Sequence, residues 1–412
     1  MPDRLLVLSN GHGEDLIALR VLEALRRRRP GLALSVLPLV GEGHAYAAAE
    51  AAGWLQRVGP RQPLPSGGFS NQSLRGLLHD LAAGLPLLSW RQWRLVRAWG
   101  ATGAPVLAVG DLMPLLLAWS AGGPYGFIGT PKSDYTWASP APRGWGSSLL
   151  ADAYHRCKGS EWDPWEWALM ANRRCQLVAV RDRLTARGLR RRGVAALAPG
   201  NPMMDGLAHS PAPAPLASRR RLLLLAGSRM PEAIRNAERL LGALDRLPPL
   251  GPLTVLVPTG REPTDAQLAP VLQRLGYRGS QQLWQRGDTE IQIGSGRFGE
   301  WAGWAEVGLA TAGTATEQLA GLGIPALSLP GPGPQFKAAF ARRQSRLLGG
   351  AVVPCRSGAQ LAERLAVLLG DPPLRAQLGS QGRRHMGPSG GSDALAELMA
   401  QRLLGSDGDR LA

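Results

Sequence analysis

The sequence predicts an α/β chain made of two doubly wound parallel sheets, and three observations carry that prediction. A strand, a glycine-bearing loop, a helix and a second strand follow one another within the first 39 residues. An alternating proline–alanine stretch interrupts the chain near its middle, and after it the strand–loop–helix alternation begins again. A length of 412 residues also exceeds what one ordinary core organises, so two domains are expected.

In chain order, residues 4–8 (RLLVL) read as a strand and "SNGHGED" as the loop after it. A helix is expected from about Asp15 to Arg29, because Ile17, Val21, Ala24 and Leu25 share one helical face. A strand at 33–39 completes a βαβ unit. Further strands are read at 106–109, 125–128 and 177–180, the last followed by helical "RDRLTARGLRRRGV". In "AHSPAPAPLAS", Pro211, Pro213 and Pro215 alternate with alanines, a pattern expected to form neither helix nor strand. The second half opens with a strand at 221–225, the turn "AGSRMPEA", and a helix to about Leu247 with Pro231 in its first turn. Strands at 253–257 and 307–310 follow, then "TAGTATEQLAGLGIPALSLPGPGPQ" from Thr311 to Gln335, and a final helix at 393–404. The expected domains are residues 1–207 and 220–390, with a linker at 208–219. The tail, 391–412, is expected to pack back on the first domain. Two such halves facing each other across a cleft would bind ligands in the loops after their strands.

Apolar content of 44% with 19% charged residues is globular. Cys157, Cys175 and Cys355 show no CxxC spacing, which points to a reducing compartment and away from disulfides or a thiolate metal site. The six histidines lack HxxxH or HExxH spacing, so no metal is expected. The N-terminal apolar run is shorter than a signal peptide requires, and "LMPLLLAW" falls short of the roughly 20 residues of a membrane span. A cytoplasmic chain, soluble or peripheral on the cytoplasmic membrane face, is expected. Forty-seven basic against 31 acidic residues give a net charge of +16. Such a balance suits nucleic acid, anionic lipid or phosphorylated substrates, although genomic base composition also yields arginine-rich chains. From Leu77 to Gly100, Trp90, Trp93 and Trp99 lie among Arg91, Arg94 and Arg97. That is the pattern of a helix at a lipid surface, or of a packed helix with arginines on its wet face. Trp162, Trp165 and Trp167 would line an acceptor pocket or fill a core.

Three loops carry candidate chemistry. Gly227, Ser228 and Arg229 follow an all-leucine strand and precede a helix, whose free N–H groups suit phosphate while the Arg229 fork adds charge. An ordinary turn with Arg229 paired to an acid is the alternative. Gly313, Thr314 and Ala315 form a second such turn. There Glu317 has two readings: it completes a Thr314-x-x-Glu317 capping box, or it accepts from the two ribose hydroxyls of a nucleotide. The Gly-Pro loop ends at Gln335, an amide suited to sugar hydroxyls. In the first half, Asn10, Gly11, His12, Gly13 and Glu14 form the first strand–helix loop, and Asp111 follows the strand at 106–109 as a helix N-cap or a general base.

Those residues carry a resemblance. "LAGSRMPE" and "AGTATEQLAGLGIPALSLP" resemble the donor-binding domain of GT-B glycosyltransferases, lipid-A-disaccharide synthase most closely and MurG and monogalactosyldiacylglycerol synthase more loosely. "GNPMMD" resembles the G-[HN]-P-x-x-D motif before their interdomain linker. The resemblance implies a GT-B fold of two Rossmann-like domains and inverting transfer of a hexose or N-acyl-hexosamine. The donor would be a UDP-sugar, the acceptor a lipid or lipid-linked molecule, and no cofactor would be needed. It places the diphosphate at residues 227–229 and 313–315, the ribose at Glu317 and the sugar at Gln335. Asp111 resembles the proposed catalytic aspartate, but "GDLMP" lacks the second aspartate of the G-x-D-x-P-D setting. His12 resembles the glycine-flanked histidine of the galactolipid synthase loop and is the rival base. A hydrolysing UDP-sugar 2-epimerase of the same architecture is one alternative. A basic nucleic-acid binder is another, and two ligand loops argue against it.

Overall fold

In the computed structural model, residues 3–60, 84–146, 149–207, 211–331 and 336–405 are described. Their strands form two sheets. The first contains β1 (Arg4–Ser9), β2 (Ala33–Pro38), β3 (Gln56–Arg57), β4 (Val106–Gly110), β5 (Tyr125–Gly129), β6 (Cys175–Val180) and β7 (Ala196–Leu197). Its order is β3-β2-β1-β4-β5-β6-β7, with every pairing parallel. The second contains β8 (Arg220–Leu225), β9 (Leu253–Thr259), β10 (Arg278–Ser280), β11 (Leu283–Arg286), β12 (Thr289–Ser295), β13 (Val307–Ala310), β14 (Ala326–Ser328) and β15 (Val352–Pro354). Its order is β10-β11-β12-β9-β8-β13-β14-β15, antiparallel only from β10 to β12.

The central strands are buried on both faces. Leu5 to Leu8, Val106 to Val109 and Leu222 to Leu224 expose no surface, and the same holds for Val307 and Leu309. Helices cover both sides of such strands, which is why they read as unbroken apolar runs. The winding direction reverses between β1 and β4 in one sheet and between β8 and β13 in the other, so each unit has its own switch point.

The chain does not divide at a single linker. One unit gathers Met1–Asp134, Cys157–Asp205 and Ser389–Ala412; the other gathers Tyr135–Arg156 and Gly206–Pro388. The expectation that residues 1–207 form one domain is therefore corrected at 135–156. That segment is held by the helix Ala338–Leu347 of the second unit. Buried Arg346 donates to Trp137 O at 2.5 Å, to Ser139 O at 2.9 Å and to both oxygens of Asp152 at 2.8 and 2.9 Å. Arg342 Nη1 donates to Gly146 O at 2.6 Å. The proline stretch is also corrected: Ala214–Ala217 is helical. Pro213 is the N-cap and Pro215 sits in the first turn, where a missing N–H breaks no hydrogen bond.

"GNPMMD" docks the last helix, Gly391–Arg402, on the first unit. Asp205 accepts from Gly390 N at 2.5 Å and Ser392 N at 2.7 Å, capping that helix with a carboxylate. Gly200 has φ +142°, and a Cβ there would stand 2.9 Å from Gly391 Cα, so the close approach needs glycine. Arg20 Nη1 takes the carbonyls of Pro202 and Met203 at 2.8 and 3.2 Å. Asp205→Ala should therefore lower stability by about 1–2 kcal/mol in urea unfolding and speed amide exchange selectively in 390–402. Unchanged exchange there would remove the cap from its assigned role.

Candidate functional site

In the second unit a pocket opens at the carboxyl ends of β8, β13 and β14. Gly227, Arg229, Glu232, Asn236, Thr311 and Gly331 line it. Two side chains fix its wall by holding one carbonyl: Thr311 Oγ1 donates to Ala226 O at 3.0 Å and Asn236 Nδ2 at 3.2 Å. The following helix starts at Glu232, with Pro231 as N-cap rather than in the first turn. Ala233 N donates to Arg229 O at 2.8 Å, which folds the Arg229 turn back over the helix start. Arg229 interacts electrostatically with Glu232, one turn on. Beneath the next loop, Arg239 Nη2 donates to Pro330 O at 2.7 Å, and Gly331 N donates to Phe336 O at 3.0 Å. Gln335 lies outside the described residues.

The second glycine turn is built differently from the capping-box expectation. Helix Thr314–Gly321 takes Gly313 as its N-cap, and glycine has no side chain to cap with. Thr314 sits inside the first turn and is exposed, so the Thr314–Glu317 box is not formed. The turn is tied from elsewhere: Thr316 Oγ1 donates to Ala312 O at 2.8 Å, and buried Gln344 Nε2 donates to Ala312 O and Gly313 O at 3.2 Å each. Glu317 is half-buried, one turn into the helix. Of the residues expected to hold a diphosphate, Gly227 and Arg229 line the pocket; Ser228, Gly313, Thr314 and Ala315 do not, and neither does Glu317.

In the first unit the helix begins at His12, three residues before the expected Asp15, so Glu14 and Asp15 occupy its first turn. The His12 side chain lies outside what the structure describes. Asn10 Nδ2 donates to Asp111 Oδ1 at 2.8 Å, and Met113 N donates to the same oxygen at 3.2 Å, making Asp111 the N-cap of helix Leu112–Ser120. Gly110, at φ +134°, lets β4 end this close: a Cβ would stand 3.1 Å from Asn10 Cβ. From the end of β5, Thr130 Oγ1 donates to Glu14 Oε1 at 3.3 Å. Asn10, Glu14, Asp111 and Thr130 thus converge at the β1/β4 switch point. Burial pushes the Glu14 carboxyl up to about 7, and the Asp111 charge adds to the shift. Burial pushes Asp15 up to about 6 although Ser9 Oγ donates to it at 2.5 Å. It also raises Asp111, against the Met113 amide and the Lys132 charge.

Several positions of the candidate sites were hidden in the sequence. Thr130, Thr311 and Asn236 carry no motif, and the places of the two threonines at strand ends are the signal that would have found them. Trp162 is fully buried against Phe127, ring centroids 5.5 Å apart, and so is core, whereas Trp165 is 56% exposed. Of the stretch from Leu77 to Gly100, residues 77–83 lie outside the description and Leu85–Gly100 is a helix. Leu88, Gln92 and Val96 face inward; Leu87, Trp90 and Trp93 are 51%, 48% and 41% exposed.

Two α/β units, each wound from its own switch point, define the GT-B fold class. The chain is similar to the calicheamicin glycosyltransferase CalG4, with a TM-score of 0.58 and 14% identity over 97% of this chain and 98% of that one. It is similar to a ugt transferase from Siraitia grosvenorii in complex with UDP, with a TM-score of 0.56 and 13% identity over 96% and 100%. A UDP-GlcNAc 2-epimerase from Neisseria meningitidis bound to UDP-GlcNAc gives a TM-score of 0.55 and 14% identity over 98% and 100%. At these identities the likeness is one of fold. No family model and no curated protein matches the chain.

The folded chain keeps the Glu14 proton up to about 7, whereas an unfolded carboxyl releases it near 4.5. More protons are then bound to the folded state in that window, so stability falls as pH rises through it. Asp15 adds a fall of the same sign between 3.8 and about 6. Urea midpoints should drop from about pH 5 to about pH 7.5, and Glu14→Gln should remove most of the drop above about pH 6. Equal slopes in the two proteins would show that the Glu14 carboxyl ionises at its ordinary value.

Proposed function

We propose that the chain is an inverting glycosyltransferase that moves a hexose or N-acyl-hexosamine from a UDP-sugar to a lipid or lipid-linked alcohol. The kind of reaction is that of lipid-A-disaccharide synthase. The observation that carries this reading is the pocket where Gly227, Arg229, Asn236 and Thr311 meet at a helix start beside the β8/β13 switch point. Helix N-termini and a guanidinium suit a diphosphate, and the departing UDP leaves with negative charge that such donors stabilise. In this reading the amides of residues 227–229 and 313–315 and the Arg229 side chain hold the diphosphate. Glu317 accepts from the ribose, Gln335 contacts the sugar, and neither metal nor cofactor takes part. The neighbours bound to UDP and to UDP-GlcNAc support a uridine nucleotide as ligand. The resemblance points to Asp111 as the base, with His12 as rival; Asp111 caps its helix beside Asn10, and His12 opens the helix that carries Glu14.

A lipid acceptor is supported by the surface of the first unit. Helix Leu112–Ser120 packs on Leu85–Gly100 and exposes Met113, Leu116 and Trp119 at every third position. The helix Leu85–Gly100 exposes Leu87, Trp90 and Trp93 together with Arg91, Arg94 and Arg97. Exposed tryptophan, leucine and arginine suit the interface of an anionic bilayer. Among the described residues no helix is long and apolar enough to cross a membrane.

UDP should raise the melting temperature by mass action, and UDP-sugar turnover should require an acceptor alcohol. Recovery of a C2-inverted sugar and free UDP without acceptor would assign the chain to the epimerases instead. Arg229→Ala should lower turnover roughly 10²-fold, and full activity would remove Arg229 from the mechanism. Glu317→Ala should weaken UDP binding while leaving the fold intact. The protein should sediment with phosphatidylglycerol vesicles and less so at high salt, and Trp90→Ser with Trp93→Ser should abolish sedimentation. Retention of the double variant on vesicles would refute the membrane face.

A further inference from the structure

A cavity of about 320 Å³ lies in the second unit at the amino end of β8, a volume at the lower end of small-molecule pockets. Ser218, Arg219, Arg220, Arg221, Pro252 and Glu306 line it. β8 runs six residues from here to Leu225, roughly 20 Å at about 3.3 Å per residue, so the cavity is remote from the pocket at Gly227 and Arg229. We propose that the cavity binds the phosphate group of a small phosphorylated molecule. The site is independent of the transferase reading.

The arginines here are anchored without being neutralised. Arg219 Nε donates to Thr254 Oγ1 at 2.7 Å, and its Nη2 donates to the carbonyls of Leu253 and Asp288 at 2.9 Å each. Arg221 Nε donates to Trp304 O at 2.8 Å, and its Nη1 to Leu216 O and Arg219 O at 2.9 and 2.8 Å. Carbonyl and hydroxyl oxygens fix a guanidinium in place but leave its charge whole. Among the described residues that line the cavity, Glu306 is the one acid, and its oxygens are shared. Oε1 accepts from Arg220 at 3.2 Å and from Arg375 at 3.3 Å, and Oε2 accepts from the Arg221 amide at 3.1 Å. The three lining arginines and Arg375 are thus met by one carboxylate. Like charges gathered in this way repel, and a bound anion relieves the repulsion. Donors already held in place lose little freedom when it arrives. A phosphate suits the set because its several oxygens accept from more than one fork at once. Arg220, with a side chain 40% exposed, is the fork best placed to swing from Glu306 to the ligand.

Inorganic pyrophosphate is the probe, titrated calorimetrically into the whole chain. Saturating UDP should leave its binding intact, and so should Arg229→Ala, a control that does not depend on UDP being a ligand. Arg220→Ala should weaken binding roughly tenfold. Ser218→Glu, which adds a negative charge at an exposed position on the rim, should abolish it. Glu306→Gln removes the competing carboxylate and keeps its shape, so it should tighten binding, a gain that loss of structure would not produce. Wild-type circular dichroism shows that each variant is folded. Phosphatidic acid vesicles form a second arm. Sedimentation that Arg220→Ala reduces would assign the phosphate to a lipid headgroup, and pyrophosphate binding without it to a free solute. Neither response in the wild type, or wild-type pyrophosphate affinity in both Arg220→Ala and Ser218→Glu, overturns the proposal.

Discussion

Both candidate sites of this chain are arranged around one constraint: a parallel strand buried on both faces has no side on which to place a charged group. β1, β4, β8 and β13 offer no exposed surface over most of their length. In these strands charged side chains stand only at the opening ends, Arg4 in β1 and Arg220 and Arg221 in β8, and the candidate sites draw their carboxylates and guanidinium from beyond the carboxyl ends. Where the strand order reverses, two adjacent crossovers leave in opposite directions and the loops part, which opens room for a ligand. Asn10, Asp111 and Thr130 stand at such an opening in one sheet, and Gly227, Arg229 and Thr311 at the other.

That constraint also governs what the sequence made legible. The strands at 4–8, 106–109 and 307–310 were readable to within a residue, because a short apolar run bounded by turn residues fits a strand buried on both faces. Helix starts were less legible. His12 opens its helix behind Gly11, which carries no capping side chain, so the signal normally read from Ser, Thr or Asp was missing. The Thr314–Glu317 spacing offered such a signal where the backbone did not use it, since Gln344, distant in sequence, had already fixed the turn. Local pattern misled at both helix starts, once by its absence and once by losing to a tertiary contact.

The site was legible as loops and not as chemistry. Gly227, Arg229 and Asp111 could be singled out because each follows a strand. The condition of Glu14 could not, because its shift comes from burial and from Asp111, which lies 97 residues further along the chain. "GNPMMD" was legible only as a likeness. Its physical content is a close backbone approach at Gly200 and a carboxylate cap at Asp205, neither of which a spacing rule expresses.

The path of the chain has a consequence for its synthesis. It passes between units four times, at 134/135, 156/157, 205/206 and 388/389. During elongation the first unit stays incomplete until its closing helix has followed residues 206–388 of the second unit. Until then the face that will receive Leu395, Ala396 and Met399 stays uncovered, and Asp205 has no helix to cap. The second unit, by contrast, has its Tyr135–Arg156 segment waiting long before Arg346 is made. A nascent chain of this design is open to holdase chaperones while residues 206–388 are made, and cutting the gene at the proline stretch would leave both halves without a piece of their own core.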